Sequence, residues 1–247
     1  MLFNVGFVTT GCRTPDITPQ EKQSPSFLPM PRYWVHQTEV EAQLEKRNKN
    51  GTLEWEWDKG WLMGFRDIAR NTDERTGIFS IIPRTAVGHT QPLILSPEST
   101  KNIVTLEANL NSFIFDYSTR QKVGGTHLTF NLMKQFPVLT PSSYSAADLE
   151  YIGARVLELS YTAWDLQAFA LDMGYSGPPF AWNQERRFVL RAELDSLYFR
   201  LYGIARDDVD YIMETFPIVK KRDIEKYGYF RSKELILELY DALPSRG

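Results

Sequence analysis

STKNIVTLEANLNSFIFDYSTRQ, residues 99–121, is where the hydrophobic period of this chain changes, and the fold class turns on that change. Ile103, Leu106, Leu110, Phe113 and Tyr117 recur at spacings of three and four, which puts them on one stripe of a helix. Ser99 or Thr100 can cap its start. Upstream the period is shorter. GWLMGFRDIA (60–69), TGIFSIIP (76–83) and QPLILS (91–96) are short apolar, partly β-branched runs between charged or Gly/Pro turns, so a small sheet is expected there. Further back, VHQTEVEAQLEKRNKNG (35–51) fits a short helix ending at Gly51.

Downstream, THLTFNLMKQFPVLTP (126–141) is expected as another strand or extended segment, punctuated by Pro137 and Pro141. From Ser145 the pattern is helical. SAADLEYIGARVLEL opens with the Ser-x-x-Asp of a capping box at Ser145 and Asp148. TAWDLQAFALDMG, QERRFVLRAELDSLYFRLYG, RDDVDYIMETF and SKELILELYDAL follow, with Gly174 and Gly203 placed as C-terminal stops. The expected fold class is mixed α/β (α+β), with a linker over 1–31, a sheet-containing unit over 32–144 and a helical unit over 145–247.

The 247 residues are 43% hydrophobic and 24% charged, enough to bury a real core. Residues 9–31 are rich in Pro, Ser and Thr and read as a flexible or contact-ordered segment, with the core starting near Arg32. No apolar run approaches the roughly 20 residues a membrane helix needs. The opening MLFNVGFVTTGCRTPD lacks the basic region and cleavage site of a signal peptide, so a cytoplasmic location is expected. Cys12 is the sole cysteine, which rules out an internal disulfide or a Cys-rich zinc site. His36, His89 and His127 lie far apart and show no metal-ligand spacing. The net charge of −3 hides an asymmetry: residues 1–146 hold 15 basic and 14 acidic side chains, residues 147–247 hold 13 and 17. A polyanion is therefore expected to meet the first part, with the second as scaffold.

Familiar catalytic signatures are missing. There is no Gly-x-Gly-x-x-Gly, Walker loop, Gly-x-Ser-x-Gly or His-Glu-x-x-His, and no Asp or Glu stands two residues before a Lys. Asp207, Asp208 and Asp210 suit the first turn of a helix, where carboxylates complement the dipole, better than a cation site. Ser176-Gly177-Pro178-Pro179-Phe180 is similar to the Asn-Pro-Pro-Tyr/Phe motif of adenine methyltransferases, but Gly177 offers no side-chain acceptor, so a rigid turn between helices is the better reading.

The loop after the opening stretch carries more chemistry. In Arg120-Gln121-Lys122-Val123-Gly124-Gly125-Thr126-His127 the cations suit phosphates, Gln121 and His127 donate and accept, and the glycine pair lets backbone approach a ligand. A second donor set, Arg66, Arg70, Arg75 and Arg84, flanks the expected strands. A helix cap followed by a turn with solvated charges would account for the same residues.

PRYWV (31–35), GWLMGFRDIARNTDERTGIFSIIPRTAVGH (60–89), ANLNSFIFDYSTRQKVGGTHLTFNLMKQFPVL (108–139) and RAELDSLYFRLYGIARDDVDYIMETFPIV (191–219) together resemble the carboxy-terminal region of large bacterial restriction-modification methylases of the type IIG, Eco57I-like kind. Those are adenine-N6 DNA methyltransferases, often fused to a nuclease. The resemblance implies a target-recognition region that contacts double-stranded DNA through a sheet-containing unit, with helices joining it to a catalytic domain or subunit. It also implies DNA contact by Arg120, Gln121, Lys122, Gly124, Gly125, Thr126 and His127, with Arg66, Arg70, Arg75 and Arg84 as further candidates. Arg120 and Lys122 would hold phosphates while His127, Gln121 or Arg84 reaches a base edge. The upstream cofactor-binding motifs of the family have no counterpart here, so no catalytic residue, metal or cofactor is expected in this chain. S-adenosylmethionine would belong to the partner, the methyltransferase or nuclease. The alternative is a protein-interaction module in which Trp164, Trp182, Tyr198 and Tyr202 dock that partner without touching DNA.

Overall fold

The computed structural model describes residues 2–6, 17–29 and 33–244. The elements in chain order are β1 (Leu2–Gly6), α1 (Pro19–Gln23), β2 (Tyr33–His36), α2 (Gln37–Gln43), β3 (Glu45–Arg47), β4 (Leu53–Glu56), β5 (Trp61–Phe65), β6 (Phe79–Pro83), β7 (Ala86–Val87), α3 (Thr100–Asn111), α4 (Phe113–Arg120) and α5 (Phe130–Met133). α6 (Ala146–Ser160), α7 (Gln167–Asp172), α8 (Gln184–Leu201), α9 (Arg206–Glu214), α10 (Pro217–Tyr227) and α11 (Arg231–Ala242) complete the chain. Small sheets come first and helices follow, the mixed class that the change of period requires. Among the described residues, no helix is long and apolar enough to cross a membrane. Of the expected linker, residues 1, 7–16, 30 and 31, with the Cys12 thiol, lie outside the described residues; α1 occupies part of the remainder, its start closed by a capping box between Thr18 and Glu21.

The chain folds into two compact units that do not follow the expected consecutive division at 144/145. One gathers residues up to Asp67 with Ser80–Pro97 and Ser160–Trp182; the other gathers Ile68–Phe79, Glu98–Leu159 and the chain from Asn183 onward. The reason is that α4, which precedes residue 144, packs with α8 and α9, while α3 is bonded to α8 through Thr105 and Tyr198.

In the first unit, β1 pairs antiparallel with β2 (Leu2 opposite His36) and parallel with β7 (Val5 opposite Ala86). Ordered backbone pairing therefore begins well before Arg32. β3 and β4 form a hairpin through a turn in which Gly51 adopts φ 83°, and Lys46 pairs across it with Glu54 at 2.8 Å. The helix expected over 35–51 accordingly stops at Gln43, because EKRNKNG has no apolar face to bury and its Asn48 side chain accepts from Thr52 N–H instead. β5 is buried at all five positions, as its unbroken apolar sequence demands. It pairs with β6, and on its other side Phe65 and Ile94 N–H groups bond to Pro92 and Met63 carbonyls. QPLILS thus lies beside β5 through a single bridge, Gly64 to Leu93, rather than as a full strand. Trp57, Trp61 and Phe169 pack edge to face at 5.7 and 5.2 Å, and Trp61 Nε1 donates to Asp172 at 2.7 Å.

The second unit is built around α8, whose Ser196 donates to the Ile236 carbonyl of α11 at 3.0 Å and whose Tyr198 donates to the Thr105 carbonyl of α3 at 2.6 Å. The helix expected across 99–121 is two helices. Ser112, extended at φ −70° and ψ 153°, ends α3 and caps α4: its hydroxyl donates to Asn109 O and accepts from Phe115 N–H, the local competition that serine brings to a helix. Of the strand or extended segment expected over 126–141, no strand forms. Only His127 finds a bridging partner, Ile68, so the chain beyond it bonds to itself as α5. Ser145 and Asp148 form the anticipated capping box, and Gly174 (φ 80°) and Gly203 (φ 67°) terminate α7 and α8.

Candidate functional site

α4 carries Asp116 one turn before Arg120, and both are turned inward in the second unit. Asp116 is fully buried: its carboxylate accepts from Arg75 Nε at 2.8 Å, from the Thr76 N–H at 3.0 Å and from the Gly77 N–H at 3.1 Å, with Arg120 Nε at 3.9 Å. Arg75 also donates to the Asn111 carbonyl and lies 4.1 Å over the Phe113 ring. Arg120 donates to the carbonyls of Asp73 (2.5 Å) and Glu74 (2.7 Å) and stacks 4.3 Å over Phe216. Burial lowers the pKa of Arg120, and the Asp116 carboxylate works against that shift. Segment 70–77 is thereby fastened to the end of α4, with Thr76 Oγ1 donating to the Arg70 carbonyl and Arg70 N–H to Asp73.

The loop that follows α4 is held at both ends. Lys122 and Val123 N–H groups donate to the Thr119 carbonyl, and Val123 and Leu128 are both fully buried. Between them the Thr126 carbonyl accepts from Ala69 N–H at 3.0 Å, and His127 forms an antiparallel bridge with Ile68. Gln121, Lys122, Gly124, Gly125, Thr126 and His127 are exposed, and Arg70 is exposed on the segment alongside. Neither glycine has positive φ, and a Cβ added to either would meet nothing within 4 Å. The protein's own packing therefore does not require glycine there; an external surface brought close to the backbone would.

No family model, curated protein or solved structure matches this chain. The geometry of the site sorts the expected DNA-contacting residues. Arg70, Gln121, Lys122, Gly124, Gly125, Thr126 and His127 come together on one exposed surface of the second unit. Arg75 and Arg120 belong to the same unit but face inward, with side chains 22% and 9% exposed. They position the loop rather than meet solvent. Arg66 and Arg84 belong to the other unit: Arg66 is half-buried, and Arg84 donates to the carbonyls of Trp57 and Lys59, both at 3.1 Å.

Asp116, which organises this surface, stands outside the expected site residues; its spacing of four from Arg120 on a helix is the signal the sequence carries. Ser176–Phe180 is a tight turn: Tyr175 donates to the Pro178 carbonyl at 3.1 Å and stacks on Phe180, and a Cβ on Gly177 would lie 2.4 Å from the Tyr175 oxygen. Asp207 and Asp208 occupy the first turn of α9, and Asp210 pairs with Lys233 at 2.9 Å.

Proposed function

We propose that this chain is a target-recognition module of a bacterial restriction-modification adenine-N6 DNA methyltransferase, which binds duplex DNA and leaves the chemistry to a catalytic partner. The observation that carries the reading is the exposed loop Gln121–His127, pinned by Val123 and Leu128 and flanked by Arg70. Lys122 and Arg70 supply phosphate-neutralising charge, Gln121, Thr126 and His127 supply directional hydrogen-bonding groups, and the open glycine pair admits the sugar-phosphate backbone. Arg75 and Arg120 act one step behind, by holding the loop's two supporting segments through Asp116.

Anisotropy titrations of a labelled duplex at several salt concentrations test this. Lys122→Ala and Arg70→Ala are each expected to weaken binding across all sequences and to reduce the salt slope by about one. Unchanged affinity and slope in both variants would remove the loop from the interface. The docking alternative draws on one exposed aromatic, Trp164; Tyr198 is fully buried, and Trp182 and Tyr202 are half-buried. Co-purification with a methylase, with no crosslinking to DNA, would select it.

A further inference from the structure

α8 carries Arg187, Arg191 and Asp195 at intervals of four, so they share one face of the helix. The inner end of this row is fixed. Asp195 is buried and accepts from the Phe113 N–H at 2.7 Å, and the ring of that same Phe113 lies under the guanidinium of Arg75. Arg187 donates to the Leu159 carbonyl at 2.5 Å. Arg191, between them, is exposed, and among the described residues it makes no ion pair or hydrogen bond.

The surrounding carboxylates are already engaged. Asp116 holds Arg75 and two backbone N–H groups; Glu74 is paired with Arg222; Glu158 is paired with Arg186 at 2.8 Å; Asp195 serves Phe113. Arg191 therefore feels two other guanidinium groups, Arg75 and Arg187, while the two carboxylates that act on it, Asp195 and Glu74, are bonded elsewhere. Desolvation by packed neighbours, followed by repulsion from Arg75, lowers its pKa, and attraction from Asp195 and Glu74 opposes that shift without reversing it.

We infer that Arg191, backed by Arg75 and Arg187, is a phosphate-binding subsite. A phosphate oxygen would accept from the Arg191 guanidinium, whose forked donors match that geometry, while Arg75 and Arg187 contribute charge from fixed positions. The sequence assigned polyanion contact to residues before 147; this subsite puts a contact on α8. Its identity as an anion site stands on the arginine cluster, and only the source of the phosphate, a DNA backbone, rests on the function proposed above.

The test uses the intact chain with Arg191→Ala and Arg191→Lys, whose unfolding midpoints are expected to match the unsubstituted protein because the side chain is exposed. Two probes are titrated, inorganic phosphate by isothermal calorimetry and a labelled duplex by anisotropy across salt concentrations, with Lys122→Ala as the reference for the loop. The expected result is a duplex affinity lowered about threefold to tenfold by Arg191→Ala, a salt slope smaller by about one, and intermediate behaviour for Arg191→Lys. Duplex binding that weakens with Lys122→Ala but not with Arg191→Ala overturns the subsite and leaves the loop standing. Phosphate binding that depends on Arg191, without any duplex binding, supports the subsite for a free phosphate group and overturns the duplex reading. If neither probe responds to Arg191→Ala, the subsite is refuted.

Discussion

Replacing Asp116 by Asn changes one atom's identity and removes one charge at the centre of the second unit. The carboxylate is wholly buried and serves Arg75 Nε at 2.8 Å, Thr76 N–H at 3.0 Å and Gly77 N–H at 3.1 Å, with Arg120 Nε at 3.9 Å. An Asn Oδ1 can keep the two backbone donors, but the amide then presents N–H groups or a weaker acceptor to Arg75. Both guanidinium groups stay where they are, because Arg75 remains bonded to Asn111 O and Arg120 to Asp73 and Glu74 carbonyls. They would then be two inward-facing cations deprived of the Asp116 charge, with Asp195 the carboxylate still acting on Arg75. Removing one member of a buried ion pair costs about 3–5 kcal/mol, and the individual hydrogen-bond losses belong inside that figure, not on top of it. Urea unfolding followed by circular dichroism, with the slope unchanged, should report a loss in that range, and for a chain of this size a fall in Tm of roughly 10 °C. Adding Arg75→Met should recover part of it by removing one stranded cation. A loss below about 1 kcal/mol for the single variant, or no recovery in the double, would refute the view that Asp116 is the organising charge.

Three further outcomes follow from named contacts. Burial pushes Glu107 up to about 8, against an ordinary value of 4.5, with Asn111 Nδ2 donating to it at 2.6 Å. A group whose pKa is raised on folding contributes stability that is full below its unfolded value and lost as pH rises through its folded value, so this contribution should fall between pH 4.5 and about 8. Glu107→Gln keeps the acceptor and should flatten that fall, leaving the variant more stable than the unsubstituted protein at pH 8 by an amount on the order of a few kcal/mol; parallel stability–pH curves would contradict the assignment. Gly60→Ala would put a Cβ 2.6 Å from Ala168 Cβ, and should cost about 1–3 kcal/mol in chemical denaturation, whereas Gly124→Ala should be nearly neutral. Ser145→Ala removes the side-chain half of the cap on α6 and should cost about 1 kcal/mol; an unchanged midpoint would show that Asp148 alone secures that helix start.

What could be read in the sequence were features set by near neighbours. The helices after Ser145 announced themselves through spacing and caps, and β5 through an uninterrupted apolar run. The break at Ser112 was hidden, because the apolar stripe continues in register across it and a mid-helix serine is common. β1 was hidden too, since LFNVG acquires its partners from residues around 35 and 86. For the site, the loop was visible from its composition, but the division of labour among its arginines was not. Arg75, Arg84 and Arg120 look in sequence like solvated cations; only packing shows that they donate to backbone carbonyls and, for Arg75, to Asp116. Arg191 shows the reverse, a residue inside a stretch read as scaffold whose exposure and neighbours emerge only once α8 and α4 are packed together.

The interleaving of the two units reaches into how the polypeptide is born. The chain passes from one unit to the other at residues 67/68, 79/80, 97/98, 159/160 and 182/183. A nascent chain leaving the ribosome therefore holds no finished unit until residue 182 has emerged, and the other waits for the C-terminal helices. A fusion cut at 79/80, 97/98 or 159/160 would divide both units at once, and one at 67/68 or 182/183 would divide one of them, so no single crossover separates the two units.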